Sequence, residues 1–236
     1  MTTLLGVWQW LTDPAHWTGP DGVPIRTAEH LRISLTALLV AVVIALPIGI
    51  ALGRSGRGSF LAFSVGNIGR AVPTFALLFI FASWDPVGVG DLAAILALVL
   101  FAIPPLLTNT YVGLREVDPD AKDSAIGLGM TSWQRLWRVE LPLSVPLVAA
   151  GLRTTTVQVV ATASLAAFVG GGGLGRYIVD GFGQQDTVLV FSGVVLIASL
   201  CLVTEGVLAL LQRAATPPPL RTDSLVRSGA AADGER

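Results

Sequence analysis

The sequence predicts an all-α membrane protein with five transmembrane helices, and three observations carry that prediction. Hydrophobic residues make up 53% of the 236 residues, charged residues only 13%, and the mean hydropathy is +0.71. A soluble domain is about 25% charged because its surface faces water. A chain with half that charge must use lipid as solvent for much of its surface. Second, the charged residues leave long gaps, and a hydrocarbon core needs roughly 20 apolar residues per helical crossing. Third, the chain has none of the alternating strands, about ten residues each, of a membrane barrel. In lipid only helices and closed barrels satisfy every backbone polar group, so the spans are helical.

Charge and composition exclude several functions. Fifteen basic and 16 acidic residues give a formal net charge of -1, which removes a polybasic nucleic-acid binder. One cysteine, Cys201, and two histidines, His16 and His30, build neither a disulfide framework nor an ordinary Cys/His metal site.

Residues 1–27 form an extracytoplasmic segment in this reading. No Lys or Arg precedes Arg26, so the start lacks the basic region of a cleaved signal peptide. Leu4, Leu5, Trp8, Trp10 and Trp17 suit either an interfacial segment with indoles at headgroup depth or a mobile arm. The transmembrane domain covers 28–213. Its spans lie between Arg32 and Arg54, from Gly58 to Trp84 with Arg70 inside, between Asp91 and Arg115, between Arg153 and Arg176, and between Asp186 and Arg213 with Glu205 inside. Residues 214–236, with Pro217-Pro218-Pro219, read as a disordered cytoplasmic tail.

Orientation follows from the basic residues, which concentrate on the cytoplasmic side. With five spans, Arg54, Arg57, Arg115, Lys122, Arg135 and Arg138 share one side with Arg213 and the tail arginines. Arg26, Arg32 and Arg176 fall on the other. The N-terminus is therefore predicted outside and the C-terminus inside.

The loop of about 115–141 is then cytoplasmic, and its length marks it as functional. Asp118 and Pro119 start a helix, with Asp120 at its positive end. Gly127 and Gly129 weaken and then end it. Thr131 and Gln134 have capping-box spacing for a second helix, stopped by Pro142. Two short helices joined at a glycine either dock into a partner's groove or lie on the membrane surface.

Asp123-Ser124-Ala125-Ile126-Gly127-Leu128-Gly129, then Trp133, then Val139-Glu140-Leu141-Pro142 and Pro146, resemble the cytoplasmic signature of ABC importer permeases. The family pattern is Glu-Ala-Ala, three residues, Gly, and later Leu-Pro; here Asp123 replaces the Glu and Ser124 the first Ala. Ala71-Val72-Pro73-Thr74-Phe75-Ala76-Leu77-Leu78, Asn109-Thr110-Tyr111, Gly151-Leu152-Arg153-Thr154-Thr155 and Gly172-Gly173-Leu174-Gly175 resemble the glycine betaine/choline/carnitine branch. Arg70 stands where such permeases more often have Gln.

The resemblance implies the ABC importer permease fold and a subunit that, with a second identical or paralogous permease, forms the pathway of an osmoprotectant importer. It implies two cytoplasmic ATPase subunits docked on Asp123, Ser124, Ala125, Gly129, Trp133, Leu141 and Pro142. It also implies an extracytoplasmic solute-binding protein. ATP and Mg belong to the ATPase, and this chain binds no cofactor. The chain's own residues agree, because its single lysine, Lys122, stands in Ala-Lys-Asp and no P-loop can form around it. No nucleophile–base pair is evident, so the chain reads as a permease and not an enzyme.

Within the spans, Asn109, Thr155, Gln158 and Thr162 are the candidate translocation path. Thr155, Gln158 and Thr162 follow helical spacings of three and four and share a face. Singly, such residues more often bond their own helix or stitch neighbours together. Arg70 and Glu205 either pair inside the bundle or each reach an interface. Gly170 to Gly173 forms a permissive outer turn, read as the pathway mouth, a contact for the delivery protein or a flexible connection. The alternatives to an osmoprotectant permease are a permease for an amino acid or organosulfonate, and a membrane scaffold that recruits a soluble protein.

Overall fold

The structure is a computed structural model that describes residues 2–56 and 58–215. The elements are α1 (Thr2–Thr12), α2 (Val23–Ser55), α3 (Ser59–Ala71), α4 (Thr74–Ala82), α5 (Asp91–Arg115), α6 (Pro119–Gly127), α7 (Ser132–Arg135), α8 (Leu141–Thr162), α9 (Gly175–Gln184) and α10 (Thr187–Ala215). All regular structure among the described residues is helical.

Four helical stretches are long and apolar enough to cross a membrane: Val23–Ser55, Asp91–Arg115, Ser132–Val169 and Thr187–Ala214. The second expected span is different. It is two helices, α3 and α4, parted where Val72 is extended at φ -81° and ψ 121°. Pro73 has no N–H to donate, and its ring pushes the preceding residue out of helical geometry. Neither half reaches crossing length alone.

The centre of the bundle is the α2–α5 pair. Ile33, Ala37, Ala41, Ala45, Gly49 and Gly53 recur every fourth residue along α2, and all are buried. Ala94, Leu98, Ala102, Leu106, Thr110 and Leu114 do the same on α5. Lipid tails are as apolar as leucine, so such a contact is held by close packing, which small residues permit. A methyl group on Gly49 would sit 2.7 Å from Thr110 Cβ, and one on Gly53 would sit 2.8 Å from Leu114 Cβ. These pairs, with Arg32 bonded to Asp91 at the opposite end, make α2 and α5 parallel.

Parallel neighbours need a return between them, and α3 and α4 supply it. Gly66 faces Thr108 and Gly69 faces Pro104, so α3 runs against α5. α8 is antiparallel to α5, with Gly113 against Val148 and Gly151 against Asn109. α10 runs back along α8. Arg153 Nε lies 3.3 Å from Glu205 Oε1, and Gln212 Nε2 donates to the Pro146 carbonyl at 3.3 Å. Glu205 is thus bridged by Arg153; the side chain of Arg70 lies outside the described residues.

At the start of the chain, α1 is a formed helix set against α10, with Gly6 at Val188. Trp10 stacks on His16 at 4.2 Å and meets Tyr177 edge-on at 5.2 Å, while Trp8 stays exposed. Burial pushes the Tyr177 hydroxyl up to about 12, so it remains a donor, and it bonds the Asp21 carbonyl at 2.7 Å. The expected disordered tail, apart from residues 214 and 215, lies outside the described residues.

Candidate translocation cavity and coupling loop

A cavity of about 620 Å³ opens between α5, α8 and the α3–α4 break. Asn109, Thr154, Thr155 and Gln158 form its polar side; Pro73, Phe101 and Pro104 contribute the apolar side. The structure therefore brings together three of the four pathway residues expected from sequence. Thr162 is not among the lining residues. One helical turn beyond Gln158, it ends α8 just before the tighter turn Ala163–Val169.

The polar groups of this wall differ in how they are satisfied. Asn109 Nδ2 donates to the Pro105 carbonyl at 2.8 Å. Thr154 and Thr156 hydroxyls bond the carbonyls four residues back, at 3.0 and 2.8 Å. Thr155 lies between them, fully buried, and its hydroxyl has no partner among the described residues. A lost hydrogen bond at a buried hydroxyl costs about 1–3 kcal/mol. Pro104 and Pro105 lie inside α5 and deprive the carbonyls of Leu100 and Phe101 of their usual donors four residues on. Sequence reading missed Thr154, Pro73 and Phe101. The signal for them was the proline pair opposite the Val72-Pro73 break.

At the end of the bundle that carries Glu29 and Asp91, the glycine turn is pinned. Gly172 N–H donates to Asp91 Oδ1 and Gly173 N–H to Glu29 Oε2, each at 2.9 Å. Gly170 and Gly173 adopt φ of 79° and 94°, a region L side chains seldom enter. Arg26 holds Glu29 at 2.9 Å and Arg32 holds Asp91. A flexible connection is therefore the wrong description of this turn.

At the opposite end, the loop follows its caps. Asp118 Oδ1 accepts from Asp120 N–H at 2.9 Å. Thr131 and Gln134 form the reciprocal capping box at 2.9 and 3.3 Å. Gly129, at φ 75°, makes the joint, and Met130 N–H returns to the Ala125 carbonyl at 3.1 Å. Pro142 corrects the expectation that it stops the second helix. Ser132 to Val169 is continuous, carried through a wide π turn over Leu136–Glu140. Pro142 follows directly on that π turn, where the Leu141 N–H bonds the Leu136 carbonyl, and the wider winding carries the chain past proline's missing N–H.

The residues expected to couple to an ATPase divide by exposure. Ala125 is buried and fixes α6; Leu141 and Pro142 are half-buried in α8. Asp123, Ser124, Gly129 and Trp133 are exposed, beside exposed Leu128 and Ile126. An apolar patch on a protruding loop marks an interaction surface.

Residues 41–217 match the family described as binding-protein-dependent transport system inner membrane component. The chain belongs to this family. As a binding-protein-dependent permease of the cell membrane, it is 38% identical over 196 residues to the glycine betaine/carnitine/choline transport system permease protein OpuCB of Bacillus subtilis (strain 168). That match covers 83% of this chain and 89% of the relative. The choline transport system permease protein OpuBB of the same organism is 38% identical, covering 81% and 88%. The carnitine transport permease protein OpuCB of Listeria monocytogenes is also 38% identical, covering 84% and 89%. Among solved structures, the permease resembles a chain of the MetNI methionine ABC transporter in inward-facing conformations, with a TM-score of 0.73. The identity is 23%, over 87% of this chain and 100% of that one, so this likeness carries the fold.

Proposed function

We propose that this permease subunit translocates quaternary-ammonium osmoprotectants such as glycine betaine, choline or carnitine through the cavity beside α5 and α8. The observation that carries the proposal is the convergence of Asn109 from α5 with Thr155 and Gln158 from α8 on one cavity wall. The printed substrates of the relatives at 38% identity supply the solute class. The α3–α4 pair acts as the fifth crossing, since α2 and α5 run parallel with that pair between them. The N-terminus lies outside and the C-terminus inside.

The remaining parts of the reading follow from the same arrangement. A second permease subunit, identical or paralogous, completes the pathway within the bilayer. A solute-binding protein delivers cargo to the outer end, where Arg26, Glu29, Asp91 and Arg176 surround a polar pocket of about 510 Å³. Cytoplasmic ATPase subunits carry ATP and Mg and dock on the exposed faces of α6 and α7. The permease itself performs no chemistry.

The test is uptake into proteoliposomes holding the complete transporter. Labelled glycine betaine, choline or carnitine should accumulate with ATP, whereas methionine and histidine should not compete. Amino-acid uptake without quaternary-ammonium uptake would refute the solute class and leave the importer intact.

A further inference from the structure

We propose that Glu140 is a positioning residue that ties the end of α2 to the coupling loop, so that loop movement is passed to α2 as well as to α8. The inference rests on the reading of α6 and α7 as the ATPase-docking element. The two carboxylate oxygens of Glu140 are each taken by a different arginine. Arg54 Nε, at the end of α2, donates to Oε2 at 2.9 Å, and Arg135 Nε, in α7, donates to Oε1 at 2.9 Å. Arg54 also reaches Ser132 with its second arm, donating to the carbonyl at 2.9 Å and to Oγ at 2.7 Å.

The arrangement is a closed clip. Ser132 begins α7 and Glu140 ends the π turn, so one arginine from α2 holds both ends of that segment. Glu140 is 5% exposed, so its two bonds are screened less by water and salt than the exposed bonds from Arg54 to Ser132. A guanidinium presents its donors in a rigid fork, so contacts at two places fix its direction as well as its position.

Chain continuity explains why this link matters. α8 continues the helix that contains α7 and therefore moves with the loop directly. α5 leads into α6 through a short connection, and Lys122 Nζ bonds the Leu114 carbonyl at 3.2 Å. α2 has no such connection, since Arg54 and Glu140 are 86 residues apart. The side-chain clip joins it to the loop.

The experiment uses the complete transporter in proteoliposomes, reading ATPase copurification, basal hydrolysis and glycine betaine transported per ATP. Glu140→Gln keeps the shape but replaces one acceptor with an amide donor facing an arginine. The expected result is retained copurification and basal hydrolysis, with solute per ATP reduced about fivefold or more. Arg54→Lys keeps the charge and lacks the fork, so it should lower the same ratio even if Glu140→Gln fails to assemble. The double variant should lower the ratio by less than the product of the two single effects, because both weaken the Arg54–Glu140 bond while only Arg54→Lys also loses hold of Ser132. Wild-type solute per ATP in Glu140→Gln, or in Arg54→Lys where Glu140→Gln does not assemble, overturns the proposal. Gly129→Asp separates the two readings. If it leaves ATPase copurification intact, the docking reading fails; if it abolishes copurification while Glu140→Gln transports normally, only the clip fails.

Discussion

Thr155 is the residue where packing and the proposed pathway make opposite demands. Its neighbours Thr154 and Thr156 bond their own helix, while the Thr155 hydroxyl is buried and without a partner in the described structure. Replacing an unsatisfied buried hydroxyl with a methyl removes a penalty and no bond. Thr155→Val should therefore leave the melting temperature in detergent unchanged or higher. Thr156→Val, which forfeits the bond to Leu152, should lower stability by about 1 kcal/mol. If the Thr155 hydroxyl meets passing solute, Thr155→Val should also slow uptake while stability holds. A drop in melting temperature for Thr155→Val would show that the hydroxyl has a stabilising partner in the assembled transporter.

At the scale of the element, the loop between α5 and α8 separates fold from contact. A Cβ on Gly129 would meet nothing within 4 Å, so a side chain there has room inside this chain. The positive φ strains any L residue, though Asp tolerates that region better than most. Gly129→Asp should accordingly insert and express normally, and its defect should fall on the partner. ATPase copurification from the same membranes should drop, with uptake falling in proportion. Normal copurification and uptake at wild-type expression would make the loop a passive connection. The caps of α6 and α7 were legible in the sequence because Asp118–Asp120 and Thr131–Gln134 are contacts between near neighbours. The fate of Pro142 was not, because the π turn that carries the helix to it is one of several local solutions.

At the scale of the whole molecule, orientation is the property to measure. The end that holds α6, α7 and Arg213 also carries Arg54, Arg115 and Lys122, so the positive-inside rule predicts that it faces the cytoplasm. In a Cys201→Ala background, single cysteines at Thr18 and Gln184 should react with an impermeant thiol reagent from outside intact cells. One at Ser124 should react only after permeabilisation. The reverse pattern would invert the topology, and labelling of all three from outside would remove two of the five proposed crossings, one before the loop and one after it.

The sequence by itself determined the solvent of this protein, the helical class, the approximate spans and the two short helices of the loop between α5 and α8. Each depends on properties of a short window: hydropathy over about 20 residues, a cap and its partner three residues on, or a signature at fixed spacing. Val72-Pro73 also lay in plain view, and the helix break there follows from proline's missing donor and its effect on Val72. Tertiary structure alone decided that Glu205 pairs with Arg153, that Gly172 and Gly173 are held by Asp91 and Glu29, and that Thr162 is left out of the cavity wall. It also decided that Glu140 takes both Arg54 and Arg135. These are choices among polar partners far apart in the chain, and they are settled by which ridges of small residues let two helices approach. α2 and α5 come close because alanine and glycine recur every fourth residue. The charged side chains at their ends then find whatever that packing brings within reach.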